Sequence, residues 1–147
     1  MTRRVVTIDR EATLAEAARR MAEHRVSGLP VVEKDGHLVG VLSQKDVIRV
    51  LHEEAGLSLP GGVFNLVLAG PSEAVPALAS RCREVLERTR VRSVMTPRPI
   101  AIELDTSVDE AIRMLIGNKI NRLPVVDGGR VVGIVTRNDL LTSTGAE

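Results

Sequence analysis

The chain has 147 residues, a length that suits one compact domain or two small halves sharing a core. Its formal charge of +1 gives no global field for nucleic acid or an anionic membrane, and its single cysteine, Cys82, leaves neither an intramolecular disulfide nor a Cys-based zinc site. Phe64 is the one aromatic residue, which removes the ring platforms on which single-stranded nucleic acid stacks. No apolar run approaches the roughly 18–20 residues of a membrane span, and the N-terminus lacks a signal-type apolar core, so a cytoplasmic location is expected.

In chain order, residues 5–8 form a short apolar run that predicts a strand. Thr13-x-x-Glu16 then reads as a capping box, with Leu14, Ala17, Ala18 and Met21 recurring behind it at helical spacing. Leu29–Val32 and Leu38–Leu42 are strand-like segments joined by the turn residues Lys34-Asp35-Gly36, and a second helix is expected to start at Ser43.

Residues 52–90 make a long connection for a compact domain. Breakers at Leu59–Gly62 and Ala69–Ser72 flank an apolar run, Val63–Leu68, expected to pack against the rest of the chain or a dimer mate. From Val75 to Arg90 the pattern turns helical, with Val75, Leu78, Ala79, Cys82 and Val85 on one stripe. Arg81, Arg83, Arg88 and Arg90 fall mostly off the stripe, as a solvated face would.

The remainder repeats the beginning at an offset of 94 residues. Met1–Arg4 aligns with Met95–Arg98, Thr13–Ala17 with Ser107–Ala111, and Val26–Val32 with Ile120–Val126. After one residue is lost in the turn Asp127-Gly128-Gly129, Gly40–Asp46 aligns with Gly133–Asp139. A strand is therefore predicted at 99–102, a helix behind Ser107-x-x-Glu110, a hairpin from Leu123–Val126 to Val131–Val135, and a helix from Thr136. One β-α-β-β-α unit leaves a bare apolar sheet face, and two copies can bury those faces about a pseudo-twofold axis. The fold class expected is α+β, two such units in tandem.

The element order, the apolar-x-x-Leu-Pro-Val-Val block and the Gly-x-x-Ser/Thr-x-x-Asp block resemble tandem cystathionine-β-synthase (CBS) domains, over residues 1–51 and 91–142. Residues 52–90 would be a partly helical connector and 143–147 a C-terminal tail. The resemblance implies a Bateman module, often dimeric, that binds adenosine-containing ligands in clefts between the repeats. Val91–Met95 leads into the second copy while the first begins at Met1, whereas the family usually has a lead-in to both. The expectation is a natural start upstream of Met1 or a trimmed chain.

Ser43-x-x-Asp46 and Thr136-x-x-Asp139 are complete as N-terminal caps without any ligand. The same geometry also suits a nucleotide. A helix N-terminus favours phosphate, and a carboxylate three residues on can accept from ribose hydroxyls. In the family the matching Ser/Thr and Asp usually do this. The two clefts should differ, because Asn121-Arg122 stands where the first copy has Ser27-Gly28. Arg122 and Arg137 are expected together near phosphate in the second-copy site, and Lys45 alone in the first. Adenine would lie between aliphatic side chains such as Ile8, Val26, Ile102 and Ile120.

No phosphate-binding Gly-rich loop and no Gly-x-Ser-x-Gly elbow occurs, and His24, His37 and His52 lack metal-site spacing. An enzyme is not expected, nor a metal or a tightly bound cofactor. The expected function is a stand-alone homodimeric regulator that binds AMP, ADP, ATP or S-adenosylmethionine and signals ligand state to an unidentified partner protein. Membrane and nucleic acid are not expected as partners. The alternative is a structural dimerisation module with degenerate clefts.

Overall fold

The computed structural model describes residues 5–55 and 76–140. The first repeat runs β1 (Ile8–Asp9), α1 (Leu14–His24), β2 (Gly28–Val32), β3 (Leu38–Ser43) and α2 (Gln44–Ala55). The connector supplies α3 (Pro76–Arg88), then a 3-10 turn at Val91–Ser93 and β4 (Thr96–Pro97). The second repeat follows as β5 (Ile102–Glu103), α4 (Val108–Gly117), β6 (Arg122–Asp127) and β7 (Arg130–Thr136), with a helical turn at residues 137–140. The Val63–Leu68 run and Val75 lie outside the described residues.

The duplication holds at the level of register. β1 pairs in parallel with β2 through Ile8 and Val31, and β5 pairs with β6 through the equivalent Ile102 and Val125. Each central strand then pairs antiparallel with the next, and each pair carries a bulge at one place, between Val31 and Val32 and between Val125 and Val126. Both first helices begin alike, with the Thr13 and Ser107 hydroxyls accepting from the Glu16 and Glu110 amides at 3.2 Å. The carboxylate half of the first box is diverted, since Glu16 pairs with Arg20 at 3.1 Å. Arg25 and Lys119, again equivalent, close α1 and α4 in left-handed conformation, with φ of 54° in both.

The opening strands are shorter and later than expected, Ile8–Asp9 against 5–8 and Ile102–Glu103 against 99–102. Pro99 has no amide to give a ladder, and the Thr7 carbonyl accepts from the Arg20 guanidinium at 2.5 Å. The lead-in to the second repeat also goes elsewhere. Val91 and Arg92 amides donate to the Ala12 and Arg10 carbonyls at 2.9 and 3.0 Å, and β4 then joins the first repeat's sheet beside β3. The sheets are therefore four-stranded, β1-β2-β3-β4, and three-stranded, β5-β6-β7. Gly40 permits the extra strand, because a Cβ there would stand 2.6 Å from Met95 Sδ and 2.9 Å from the Thr96 carbonyl oxygen.

Side chains alternate across each strand. One face of β2 and β3, with Leu29, Val31 and Leu42, packs on α1 and α2 and is buried. α3 covers that layer from outside and adds Cys82, Val85 and Leu86 to the same core. Burial pushes the Cys82 thiol pKa up. In the second repeat Leu123, Val125 and Val135 pack with Ala111 and Leu115 of α4.

The repeats meet through their hairpins. Leu38 N–H donates to the Gly129 carbonyl at 3.0 Å, and Val131 N–H donates to the Gly36 carbonyl at 3.2 Å. Leu38 and Val131 are equivalent in the duplication, as are Gly36 and Gly129, so the two bonds exchange under a twofold rotation. The bridge between His37 and Arg130, themselves equivalent, lies on that axis. His37 therefore sits between the hairpins, a contact that its sequence position did not announce.

Candidate functional site

The opposite faces of the two sheets define a cavity of about 490 Å³. Pro30 and Val41 are cross-strand partners in the first sheet, their equivalents Pro124 and Ile134 are partners in the second, and all four line this space. The apolar faces thus oppose each other across a cavity.

Polar groups gather at one end. Ser43 caps the N-terminus of α2, and its amide and hydroxyl donate to Asp46 Oδ2 at 2.9 and 3.0 Å. Asp46 N–H donates back to Ser43 Oγ at 3.3 Å, and Arg49 Nη1 lies 3.5 Å from Asp46 Oδ1. Gln44 N–H donates to the Ser27 carbonyl at 2.8 Å, which anchors the helix start to the head of β2. Ser27, Ser43, Gln44, Lys45 and Asp46 all line the cavity. The dipole of a 12-residue helix adds positive potential at this end.

The second repeat sends Ile120, Asn121 and Arg122 into the same cavity. Arg122 Nη2 donates to Ser27 Oγ, and burial pushes the guanidinium pKa down. It remains charged, because an arginine pKa starts far above neutrality. No ion pair among the described residues includes Arg122. The lead-in supplies Thr96, Arg98, Pro99 and Ile100. Arg98 has φ 52°, an uncommon left-handed backbone for a side-chain-bearing residue, at the corner where the chain leaves β4.

This grouping differs from the one expected. Arg122 does not join Thr136, Arg137 and Asp139 but lies with Ser27, Ser43, Lys45 and Asp46, because it crosses the pseudo-twofold axis. Thr136 and Asp139 repeat the capping geometry, at 3.0 and 3.1 Å, but with Arg137 they are not among the residues lining this cavity. Of the four aliphatic candidates for adenine, Ile120 alone lines it. Ile8 and Ile102 are 0% and 7% exposed and belong to the cores, since β1 and β5 turn those side chains onto the helices. Val26 is exposed but lies outside the cavity lining. Arg98 and Ile100 were missed. The only sequence signal for them was their place in an aligned lead-in, whose crossing to the other repeat depends on the tertiary fold.

Among the described residues no cluster of His, Cys, Asp and Glu could hold a metal ion, and no helix is long and apolar enough to cross a membrane.

Comparison with known proteins agrees with this architecture. The chain is 33% identical over 148 residues to the uncharacterized protein MJ1426 of Methanocaldococcus jannaschii, covering 92% of this chain and 83% of that protein. Among solved structures it is similar to the CBS domain of a CBS domain-containing membrane protein from Sphaerobacter thermophilus, with TM-score 0.74 and 31% identity over 94% of this chain and 80% of that one. It is also similar to CBSX2 of Arabidopsis thaliana, solved in complex with AMP, with TM-score 0.71 and 27% identity over 99% of this chain and 92% of that one. The CBS domain profile matches residues 1–53 and 91–144. The chain belongs to the CBS domain family, as a tandem CBS pair.

Proposed function

We propose that this protein is a regulatory module that binds an adenosine-containing nucleotide in the inter-sheet cavity and reports its occupancy to a partner protein. The observation that carries the reading is the convergence of a capped helix N-terminus, Asp46 and the Arg122 guanidinium on a cavity whose remaining walls are largely apolar. Such a site recognises a molecule with an apolar base at one end and an anion at the other. The complex of the related CBSX2 with AMP supports the choice of ligand class.

In this reading the base lies among Pro30, Val41, Ile100, Ile120, Pro124 and Ile134. The ribose hydroxyls donate to Asp46 through Oδ1, because Oδ2 already accepts both capping bonds while Oδ1 faces only Arg49 at 3.5 Å. The amides of Gln44 and Asp46 are already engaged. Phosphate would therefore rely on the helix dipole and the cations Lys45, Arg98 and Arg122 more than on free first-turn amides or the Ser43 hydroxyl, whose proton goes to Asp46. Because one ligand touches both repeats, it shifts the balance between arrangements of the two sheets, which is the differential contact that regulation requires.

A homodimer is part of the proposal. Val108, Ile112 and Ile116 form an i, i+4, i+8 stripe on α4, with Val108 46% and Ile116 66% exposed. Their equivalents on α1 are Leu14, Ala18 and Ala22, of which Leu14 and Ala18 are fully buried. Sedimentation of the Ile116→Glu variant as a smaller species than the native protein would support this face as the contact.

The deciding experiment is a thermal-shift panel of AMP, ADP, ATP, S-adenosylmethionine and adenosine. A saturable rise in Tm for at least one of them is expected, since a ligand that binds only the folded state stabilises it. No rise with any member at millimolar concentration would end the nucleotide reading.

A further inference from the structure

Gly28 and Arg122 occupy the same place in the duplicated unit, each opening its Leu-Pro strand opposite the capping hydroxyl, Ser43 in one copy and Thr136 in the other. In the folded chain these two positions meet. A Cβ on Gly28 would overlap Nη1 of Arg122 and stand 3.1 Å from both Arg122 Cζ and the Leu42 carbonyl oxygen. The backbone does not require glycine here, because the positive-φ glycines are Gly36, Gly128 and Gly129. The course of the Arg122 side chain requires it.

The reason is symmetry. A position that meets its own equivalent lies against the pseudo-twofold axis, as His37 and Arg130 do at the hairpin end. Two long side chains cannot share such a place, so one copy can extend across the axis only if the other withdraws. Here the second copy extends. Arg122 reaches past Gly28 to the Ser27 hydroxyl and into the cavity capped by Ser43 and Asp46.

We propose that Gly28 is a specificity-determining residue. By leaving room for Arg122 to cross the axis, it delivers one half-buried cation to the first-repeat cleft and makes that cleft select phosphorylated over unphosphorylated nucleosides. The inference rests on the nucleotide reading above and adds the source of its charge selectivity. Arg122 meets only a neutral hydroxyl among the described residues and is already partly desolvated, so a phosphate oxygen gains a charge-assisted, geometrically defined partner there. A β-carbon at position 28 collides chiefly with the far end of a flexible side chain, so Gly28→Ala should displace the guanidinium without unfolding the protein.

The test is calorimetric titration of adenosine, AMP and inorganic pyrophosphate into the native protein, Gly28→Ala, Arg122→Gln and the exchange pair Gly28→Arg/Arg122→Gly, with circular-dichroism melts confirming each fold. The native protein should prefer AMP over adenosine at least tenfold. Gly28→Ala should reduce that ratio about as much as Arg122→Gln does. The exchange pair should recover the preference, and adding Asp139→Ala to it should remove the preference again, because the cation then enters the other cleft. A native AMP-to-adenosine ratio in Gly28→Ala would overturn the inference, as would a ratio in Arg122→Gln equal to that of the native protein. If no adenosine compound binds the native protein, the nucleotide reading fails separately and pyrophosphate decides. Tighter pyrophosphate binding by the native protein than by Gly28→Ala then upholds the role of Gly28, and equal binding refutes it.

Discussion

Replacing Asp46 and Asp139 separately by alanine uses the duplication as its own control. Each carboxylate accepts from the amide of the capping residue three positions earlier, at 2.9 Å for Ser43 and 3.0 Å for Thr136. Losing that half of the cap costs about 1 kcal/mol, and losing a negative charge in the first helical turn about 0.5 kcal/mol more. The exposed Arg49 contact of Asp46 adds little, as surface ion pairs do. Both variants should therefore melt about 3–6 °C below the native protein. Ligand linkage separates them. At a concentration a hundredfold above Kd, AMP stabilises the native protein by about 2.7 kcal/mol. Removing ribose contacts worth about 1.4 kcal/mol weakens Asp46→Ala tenfold and leaves about 1.4 kcal/mol of that stabilisation. Asp139→Ala, outside the cavity, should keep nearly all of it. The assay is thermal denaturation with and without AMP. Equal loss of the AMP effect in both variants, or no loss in Asp46→Ala, would refute the assignment of the site to the first-repeat cap.

Leu86→Ala should destabilise the protein by about 2–5 kcal/mol in urea denaturation, because this fully buried side chain of α3 completes the first-repeat core. Gly40→Ala should loosen β4, since its Cβ would press on the Thr96 carbonyl at 2.9 Å; AMP affinity should fall with it, as measured by titration, because Thr96–Ile100 forms one cavity wall. The Asp35 carboxyl is held below its ordinary pKa first by the His37 backbone N–H, which donates to it at 3.1 Å. Its folded pKa lies below its unfolded one, so its contribution is present above about pH 4 and is lost as the pH falls through the lowered value. Urea midpoints between pH 5 and 2.5 should therefore decline less steeply in Asp35→Asn than in the native protein.

Much of this architecture is written locally. The hydroxyl caps at Thr13, Ser43, Ser107 and Thr136, the glycine turns, and the strand pairs around the Leu-Pro blocks depend on neighbours a few residues apart. The 94-residue repeat turned each such reading into two, and the structure places them in equivalent registers. Even the buried stripe of α3 was legible, because Cys82 and Val85 recur at helical spacing beside exposed arginines.

What the sequence could not carry is the assignment of side chains to clefts. Arg122 sits next to Thr136 along the sheet yet sends its guanidinium to Ser27, a residue 95 positions earlier. The lead-in Thr96–Pro97 pairs with the first repeat's β3, although it adjoins the second repeat in sequence. Ile8 and Ile102 turned out to be core because the face a strand residue presents depends on which layer covers it. Each of these follows from the twofold packing of the copies, a long-range relation with no periodic trace in the chain. The sequence by itself determined two like units with paired capping motifs. Only the tertiary structure decided that position 28 and position 122 share one space, so that the glycine of one copy makes room for the arginine of the other.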